Sequence, residues 1–232
     1  MTAPNVSNPT RSAATANQVR LPRTAALGPG RGEQPRLLID APAGAAEIYL
    51  HGATVTSWVP RGGAEVIFTS RQAVFDGATA IRGGIPLCLP EFGAGINGDA
   101  VPKHGWARIA PWRLRTVTST DDGGVRALLS VSRDHLTALC EIQIGETLRL
   151  GLSLRNDGTE PRTVEAAAHT YLSVHDVTAS LVSGLAGASY SDNLARSPQE
   201  LRQVQDGDVR ITGPVDRIYD SAEPVTVTDP GH

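Results

Sequence analysis

The sequence is poor in several residue types, and each shortage narrows the class of protein. Lys103 is the only lysine among 21 basic residues, and the net charge is −3 with a pI near 6.1. Without a basic surplus, we expect no binding to nucleic acid or to an acidic membrane. The only two cysteines, Cys88 and Cys140, are isolated, so they predict neither a disulfide framework nor a CxxC metal site. A reducing cytosol is the expected compartment.

Long apolar runs are also missing. No stretch of about 18 apolar residues occurs, so the sequence predicts no membrane-spanning helix, and the N-terminus lacks the apolar segment of a secretory signal. Residues 1–18 are mostly Ser, Thr, Ala, Asn and Pro without a buried pattern, which predicts a disordered tail. A transit peptide is the less favoured interpretation of this tail, because no amphipathic helix is apparent.

What the sequence does contain, from residue 36 onward, is a series of short β-rich runs. Turn signals separate them at 62–63 (GG), 121–124 (DDGG) and 156–158 (NDG). No long helix intervenes, so we expect an all-β sandwich or barrel, and no linker divides residues 36–232 into separate domains. The predicted strands are 36–40, 46–50, 54–59, 65–69, 113–119, 125–133, 148–156, 164–174, 179–183, 208–212 and 224–229.

Two segments depart from this pattern. One short helix is predicted over 198–205, with Ser197 as its N-cap, Pro198 in the first turn and Glu200 completing a capping box. Residues 76–112 are rich in Gly and Pro and fit no regular strand. A loop this long inside a domain is usually disordered or functional, and its many apolar residues argue against disorder. We therefore predict an ordered loop that builds a site.

Five side chains are candidate site residues from their local sequence. His169 lies at the centre of VEAAAHTYLSV (164–174), where small alanines leave space; it either faces a ligand or is an interior histidine with a hydrogen-bond partner. KHGWAR places Lys103, His104 and Arg108 within six residues, and AIRGGIP (80–86) adds Arg82, which two glycines follow. Convergent arginines beside a Gly-rich loop suit a phosphate. A solvated loop with incidental charges is the alternative interpretation.

Other chemistries lack their motifs. GPGRGE (28–33) and the two RGG stretches do not follow a strand and open a helix, as a nucleotide-binding loop requires. The GxSxG elbow of serine hydrolases is absent. The histidines show no HExxH spacing, and on a regular strand His169 and His175 would lie about 20 Å apart, too far to share a metal. We expect neither a metal nor a cofactor.

Several motifs occur in an order and spacing found in one known family. They are HGATVTSW (51–58), FDGATAIRGGIPLCLPEFG (75–93), HGWAR (104–108), AAAHTYLSV (166–174) and VDRIYD (215–220). Together they resemble the hexose-6-phosphate mutarotases, also called glucose-6-phosphate 1-epimerases, of the aldose 1-epimerase superfamily. The resemblance covers about residues 19 to 232. It implies an all-β, galactose-mutarotase-like β-supersandwich and a cofactor-free epimerase of a small-molecule hexose phosphate, with no protein partner evident.

The resemblance also implies roles for individual residues. His169 matches the family's catalytic histidine, and His104 matches the second active-site histidine of the superfamily. The implied substrate-binding residues are Arg82, Arg108, Lys103 and Asp192, with Lys103 standing where some relatives have Gln. Interconversion of α and β anomers opens the sugar ring: a base takes the C1 hydroxyl proton while an acid protonates the ring oxygen. A histidine suits the acid role because its pKa lies near the working pH.

Two features depart from the family pattern. Its general base is a glutamate in a motif like CVEPGN, which is absent here; relatives continue beyond the position of VTVTDPGH. From the resemblance we expect a C-terminally truncated chain with an incomplete sandwich and weak or no turnover. Glu91 occupies a position usually aromatic or aliphatic; it is a substitute base or, as we favour, a rim residue.

Three other functions remain open at this point. The first is a superfamily member that acts on unphosphorylated sugar, although Arg82 together with Arg108 argues against it. The second is a non-catalytic remnant that binds a sugar phosphate without turnover, which the missing glutamate favours. The third is a fragment that neither binds nor turns over sugar. Binding and turnover measurements separate all three.

Overall fold

A computed structural model describes residues 19–231, so the tail predicted at 1–18 lies outside the described residues. No helix within 19–231 is long and apolar enough to cross a membrane. The strands are β1 (Ala25–Pro29), β2 (Pro35–Ala41), β3 (Gly44–Tyr49), β4 (Thr54–Pro60), β5 (Leu87–Cys88), β6 (Arg113–Ser119), β7 (Val125–Arg133), β8 (Leu136–Ile144), β9 (Leu148–Asn156), β10 (Ala167–Ala168), β11 (Leu181–Ser183), β12 (Ser189–Asp192), β13 (Arg202–Val204), β14 (Val209–Arg210), β15 (Arg217–Tyr219) and β16 (Thr226–Thr228). The helical elements are α1 (Pro198–Leu201) and two 3-10 turns, Arg31–Glu33 and Ala107–Ile109.

Two four-stranded antiparallel sheets, β1–β4 and β6–β9, form the larger part of the fold. In each sheet the strands pair in chain order, because short turns return the chain beside itself. In the predicted DDGG turn, for example, the Thr120 N–H donates to the Gly124 carbonyl at 3.0 Å. The remaining strands form the pair β10–β5 and two three-stranded sheets, β14–β11–β16 and β13–β12–β15. The predicted all-β class is confirmed.

The inward faces of the two larger sheets share one hydrophobic core. Leu37 and Ile48 of the first sheet and Leu129 of the second are fully buried in the same cluster. Each such side chain contributes about 1.5–3 kcal/mol by leaving water. The Trp58 Nε1–H of β4 donates to the Gly145 carbonyl in the β8–β9 turn at 3.2 Å, so a polar contact also joins the sheets.

The Gly- and Pro-rich segment 76–112 is ordered because its apolar side chains belong to this core. Its only regular elements are β5 and the 3-10 turn Ala107–Ile109. The Trp112 Nε1–H donates to the Ala107 carbonyl at 2.9 Å and satisfies the buried indole nitrogen. The prediction of an ordered loop is confirmed. The residues of the segment within the core cluster are Ile85, Leu87, Leu89, Trp106, Ala107 and Trp112.

The predicted helix at 198–205 is wrong in its length. It ends at Leu201, and the chain continues as β13. The Ser197 side chain makes no capping hydrogen bond. Instead the Glu200 carboxylate accepts a hydrogen bond from the Arg196 N–H at 2.9 Å, one residue earlier than a capping box requires. Pairing of β13 with β12 takes the backbone that a longer helix would have used.

Two of the predicted strands are less regular than the sequence indicates. Segment 164–174 is a strand only at β10, and 65–69 forms isolated bridges, Ile67 with Leu172 and Thr69 with Gly83. Six strands, β1, β5, β8, β12, β13 and β15, are additional to those predicted. The leucines of β9 share one face as predicted; three of them pack on the core, whereas Leu154 stays 39% exposed.

The register of β8 makes a stability prediction. Leu136 is 1% exposed and Leu139, on the opposite face of the same strand, is 38% exposed. Leu136→Ala should lower the free energy of unfolding by about 2–5 kcal/mol, because it leaves a cavity in the core. Leu139→Ala should cost about 1 kcal/mol or less. Urea denaturation followed by circular dichroism measures both values, and equal losses would contradict this register.

Candidate active site

Two antiparallel segments bring the RGGIP loop (82–86) beside the HTY motif (169–171). β5 pairs with β10, and the ladder continues past β10 through backbone hydrogen bonds. The His169 N–H donates to the Pro86 carbonyl at 3.0 Å, and the Tyr171 N–H donates to the Gly84 carbonyl at 2.9 Å. Segment 165–171 is therefore extended and fixed along the loop, although little of it is regular strand. Two of the motifs singled out by the sequence therefore lie side by side.

The ring of His169 is exposed and contacts two other rings. Its centroid lies 5.0 Å from that of Tyr171, with the planes tilted by 33°, and 6.1 Å from that of His104, with the planes nearly perpendicular. Within residues 19–231 the His169 ring makes no hydrogen bond. His51, by contrast, is an interior histidine: it is buried, and its Nε2–H donates to the Thr79 carbonyl at 2.9 Å.

A tight turn in HGWAR presents His104. Both His104 and Gly105 have left-handed backbones, with φ of 65° and 67°. A Cβ atom on Gly105 would lie 2.2 Å from the Leu89 carbonyl oxygen, so only glycine fits there. The His104 N–H donates to the Gly93 carbonyl at 2.7 Å, and its own carbonyl accepts from the Leu89 N–H at 3.3 Å. These contacts join HGWAR to the LPEFG segment (89–93).

The ring of His104 is held in one neutral form. The Gly93 N–H donates to His104 Nδ1 at 3.1 Å, so the proton of the neutral ring sits on Nε2. The Phe92 ring lies edge-on, with centroids 5.2 Å apart. Partial burial, and then the nearby charges of Arg108, His169 and Lys103, lower the pKa of His104 below its ordinary value of 6.5. At neutral pH His104 therefore presents an Nε2–H donor.

Arg108 supplies positive charge next to the histidines. Its Nη2 donates to the Lys103 carbonyl at 2.7 Å, which ties the guanidinium to the HGWAR turn. Its Nε is buried and has no hydrogen-bond partner within the described part of the chain. Burial raises the pKa of the Cys88 thiol, and the charge of Arg108 opposes that rise, so Arg108 also lies within reach of β5. The Lys103 side chain is exposed.

Two of the predicted site residues are not joined to this group by any described contact. Arg82 is exposed, and its guanidinium makes no hydrogen bond or ion pair in residues 19–231. Asp192 lies at the end of β12, in a separate sheet. Its Oδ1 accepts from the Leu194 N–H at 2.9 Å and its Oδ2 from the Arg217 Nε–H at 3.4 Å. Its carboxylate is therefore already engaged by the protein.

Sequence reasoning named no role for three residues that surround the histidines. Phe92 and Tyr171 supply the neighbouring rings, and both stand in the motifs LPEFG and HTY, which were the available signal. Glu165, four residues before His169, accepts a hydrogen bond from the Phe92 N–H at 3.3 Å.

Glu91 is half-buried against Gly95. Residues 19–231 contain no group of three or more His, Cys, Asp or Glu side chains arranged to hold a metal.

Comparison with known proteins gives consistent matches. Residues 35–231 match the family model described as Aldose 1-epimerase. The chain is 31% identical over 192 residues to the "Putative glucose-6-phosphate 1-epimerase" of Escherichia coli (strain K12), covering 79% of this chain and 62% of that protein. It is 33% identical over 192 residues to the protein of the same name from Cenchrus ciliaris, covering 75% and 56%. The chain thus spans about three fifths of the length of these relatives.

Solved structures agree with these family and sequence matches. A "putative mutarotase (YeaD)" from Salmonella typhimurium superposes with a TM-score of 0.76 at 27% identity, covering 87% of this chain and 68% of that one. A galactose mutarotase-like protein from Clostridium acetobutylicum, at 13% identity and a TM-score of 0.58, shares the fold. The predicted galactose-mutarotase-like fold is confirmed by both. The matched family model covers most of the chain, and this protein belongs to the aldose 1-epimerase family.

Proposed function

We propose that this chain binds a hexose 6-phosphate and interconverts its α and β anomers. The observation that carries the proposal is the pair of histidine rings, 6.1 Å apart and nearly perpendicular, of which one is exposed and the other presents an Nε2–H donor. The two relatives named glucose-6-phosphate 1-epimerase supply the substrate class. Positive charge from Arg108 beside the rings suits a substrate with an anionic group.

The two histidines would divide the work of ring opening. His169 protonates the ring oxygen as general acid while a base removes the proton from the C1 hydroxyl, and the C1–O5 bond breaks. Rotation about C1–C2 and reclosure with the roles reversed yields the other anomer. His104 stays neutral, since its Nδ1 is occupied by the Gly93 N–H, and donates a hydrogen bond from Nε2 to a sugar oxygen. This donor orients the sugar.

The basic residues would bind the phosphate. Arg108 has an Nε–H without a partner in the described residues, and Arg82 has an unengaged guanidinium that a doubly charged phosphate would satisfy. Lys103 adds charge at the exposed end of the same turn. Asp192 would accept from a sugar hydroxyl with the lone pairs that Leu194 and Arg217 leave free.

A second candidate function is binding of the sugar phosphate without turnover. Among residues 19–231, no carboxylate forms a hydrogen bond or ion pair with the ring of His104 or His169, so a general base is not evident beside them. The same cationic groups would then hold the sugar phosphate while interconversion proceeds at its spontaneous rate. The measurements below distinguish the two candidates.

Turnover is measurable by two-dimensional exchange NMR between α- and β-glucose 6-phosphate. The chain should exceed the spontaneous rate, and His169→Ala should reduce the catalysed rate by about 10²–10⁴-fold, because the general acid is lost. The matched control is His175→Ala, which removes an exposed histidine six residues away and should leave the rate unchanged. Binding by folded protein without acceleration supports the second candidate, and absence of both binding and acceleration contradicts both.

Arg82 should raise the affinity for the phosphorylated sugar without affecting the affinity for the free sugar. Arg82→Ala should weaken binding of glucose 6-phosphate by about 10–100-fold, the usual range for losing a charged hydrogen bond. The affinity for glucose should not change. Arg71→Ala, which removes another exposed arginine, is the control and should alter neither affinity. Calorimetric titration measures both ligands, and equal loss for glucose would refute a phosphate contact.

The charges around His104 should set its protonation. Arg108→Gln removes the largest charge effect on the His104 ring, so the pKa of His104 should rise toward 6.5; Lys103→Gln should raise it less, since its effect is smaller. NMR titration of the ring protons measures the pKa. Arg126→Gln, in the exposed pair with Glu141, serves as the control. An unchanged His104 pKa in Arg108→Gln would show that Arg108 does not face the ring.

A further inference from the structure

Glu165 links the segment that carries His169 to the loop that contacts His104. It precedes His169 by four residues in the extended segment, so the two side chains lie on the same face where the alternation holds. Its N–H donates to the Pro90 carbonyl at 2.8 Å, which starts the ladder alongside β5. Its carboxylate is half-buried and Oε2 accepts from the Phe92 N–H at 3.3 Å. One residue thus contacts LPEFG through both backbone and side chain.

The peptide groups that follow continue this connection to His104. The Phe92 N–H goes to Glu165, and the next one along, the Gly93 N–H, goes to His104 Nδ1 at 3.1 Å. The Gly93 carbonyl accepts from the His104 N–H at 2.7 Å, and the Phe92 ring packs edge-on against the His104 ring. Two consecutive peptide N–H groups of the loop therefore bind two different partners: that of Phe92 binds the Glu165 carboxylate, and that of Gly93 binds the His104 ring.

We propose that Glu165 is a positioning residue, which fixes the Phe92–Gly93 backbone and thereby the orientation of the His104 ring relative to His169. The catalytic meaning of this role rests on the function proposed above. By accepting the hydrogen bond from the Phe92 N–H, the Glu165 side-chain oxygen holds the Phe92 peptide plane against rotation. Without the Glu165 side chain, the Phe92 N–H loses its acceptor. The next hydrogen bond, from the Gly93 N–H to His104 Nδ1, then loses its alignment.

A direct electrostatic role for Glu165 makes a different prediction. The charges that act on the His104 ring come from Arg108, His169 and Lys103. Within residues 19–231, Glu165 makes no hydrogen bond or ion pair with either histidine ring. If its negative charge nonetheless acted through space, removing that charge would lower the pKa of His104 in every neutral variant. Positioning predicts a rise instead, and only where the acceptor oxygen is lost.

The test uses NMR of His104 in Glu165→Ala and Glu165→Gln. In Glu165→Ala the Gly93 N–H should release Nδ1, so the pKa of His104 should rise and the ring nitrogen shifts should show a share of the Nδ1–H tautomer. Glu165→Gln keeps a side-chain carbonyl that accepts from the Phe92 N–H, and should resemble the parent. The control Glu91→Ala removes a neighbouring carboxylate with no hydrogen bond in the described chain, and should also resemble the parent.

These readouts do not require turnover, so a chain that fails to catalyse would refute the proposed function and leave this test intact. Where turnover is present, kcat/KM should fall about 100-fold in Glu165→Ala, the cost expected for a misplacement near 1 Å, and Glu165→Gln should restore most of it. Glu165→Met, which keeps the length without the acceptor, replaces Glu165→Ala should that variant unfold. An unchanged His104 tautomer in the folded variant, or the same change in Glu165→Gln, would overturn the proposal.

Discussion

The site depends on the burial of apolar side chains from a glycine- and proline-rich loop between two β-sheets. Leu87 and Leu89 are almost wholly excluded from water. The carbonyls of Pro86 and Pro90, on either side of them, accept hydrogen bonds from the segment that carries His169. Hydrophobic burial therefore supplies the rigidity that the loop's own sequence lacks. Glycines at positions such as Gly105 then let the anchored backbone approach within a distance that no other residue permits. In this one segment, buried leucines hold the backbone in place and a glycine allows two stretches of backbone to lie close together.

The surroundings of the two histidine rings differ in hydrogen bonding and exposure. His104 is fixed at Nδ1 by a peptide N–H, and its partial burial and then its charged neighbours lower its pKa. His169 has an exposed ring that lies against the rings of Tyr171 and His104 and makes no hydrogen bond within residues 19–231. Two residues of the same type thus lie in different surroundings: one ring nitrogen of His104 is engaged by the backbone, whereas the His169 ring is open to solvent.

Much of the fold was predictable from periodicity, and most of the site from motifs. The bounds of β6, β7 and β9 agree with the sequence because their apolar residues alternate cleanly. β8 alternates as well, but its inward positions include Ala138 and Cys140, which are weak strand signals. The contact between Gly93 and His104 was not predictable, because it depends on a main-chain donor in a loop. Nor was the engagement of Asp192 by Arg217, which arises only when β12 pairs with β15.

The placement of the tryptophans has a spectroscopic consequence. Trp106 and Trp112 are two of only three tryptophans, and both are buried in the segment that presents His104. The third, Trp58, packs on the same core from β4. Intrinsic fluorescence therefore reports mainly on the support of the site rather than on distant parts of the chain. Detachment of this loop would red-shift the emission, because its indoles would enter water, and it would do so without any introduced label.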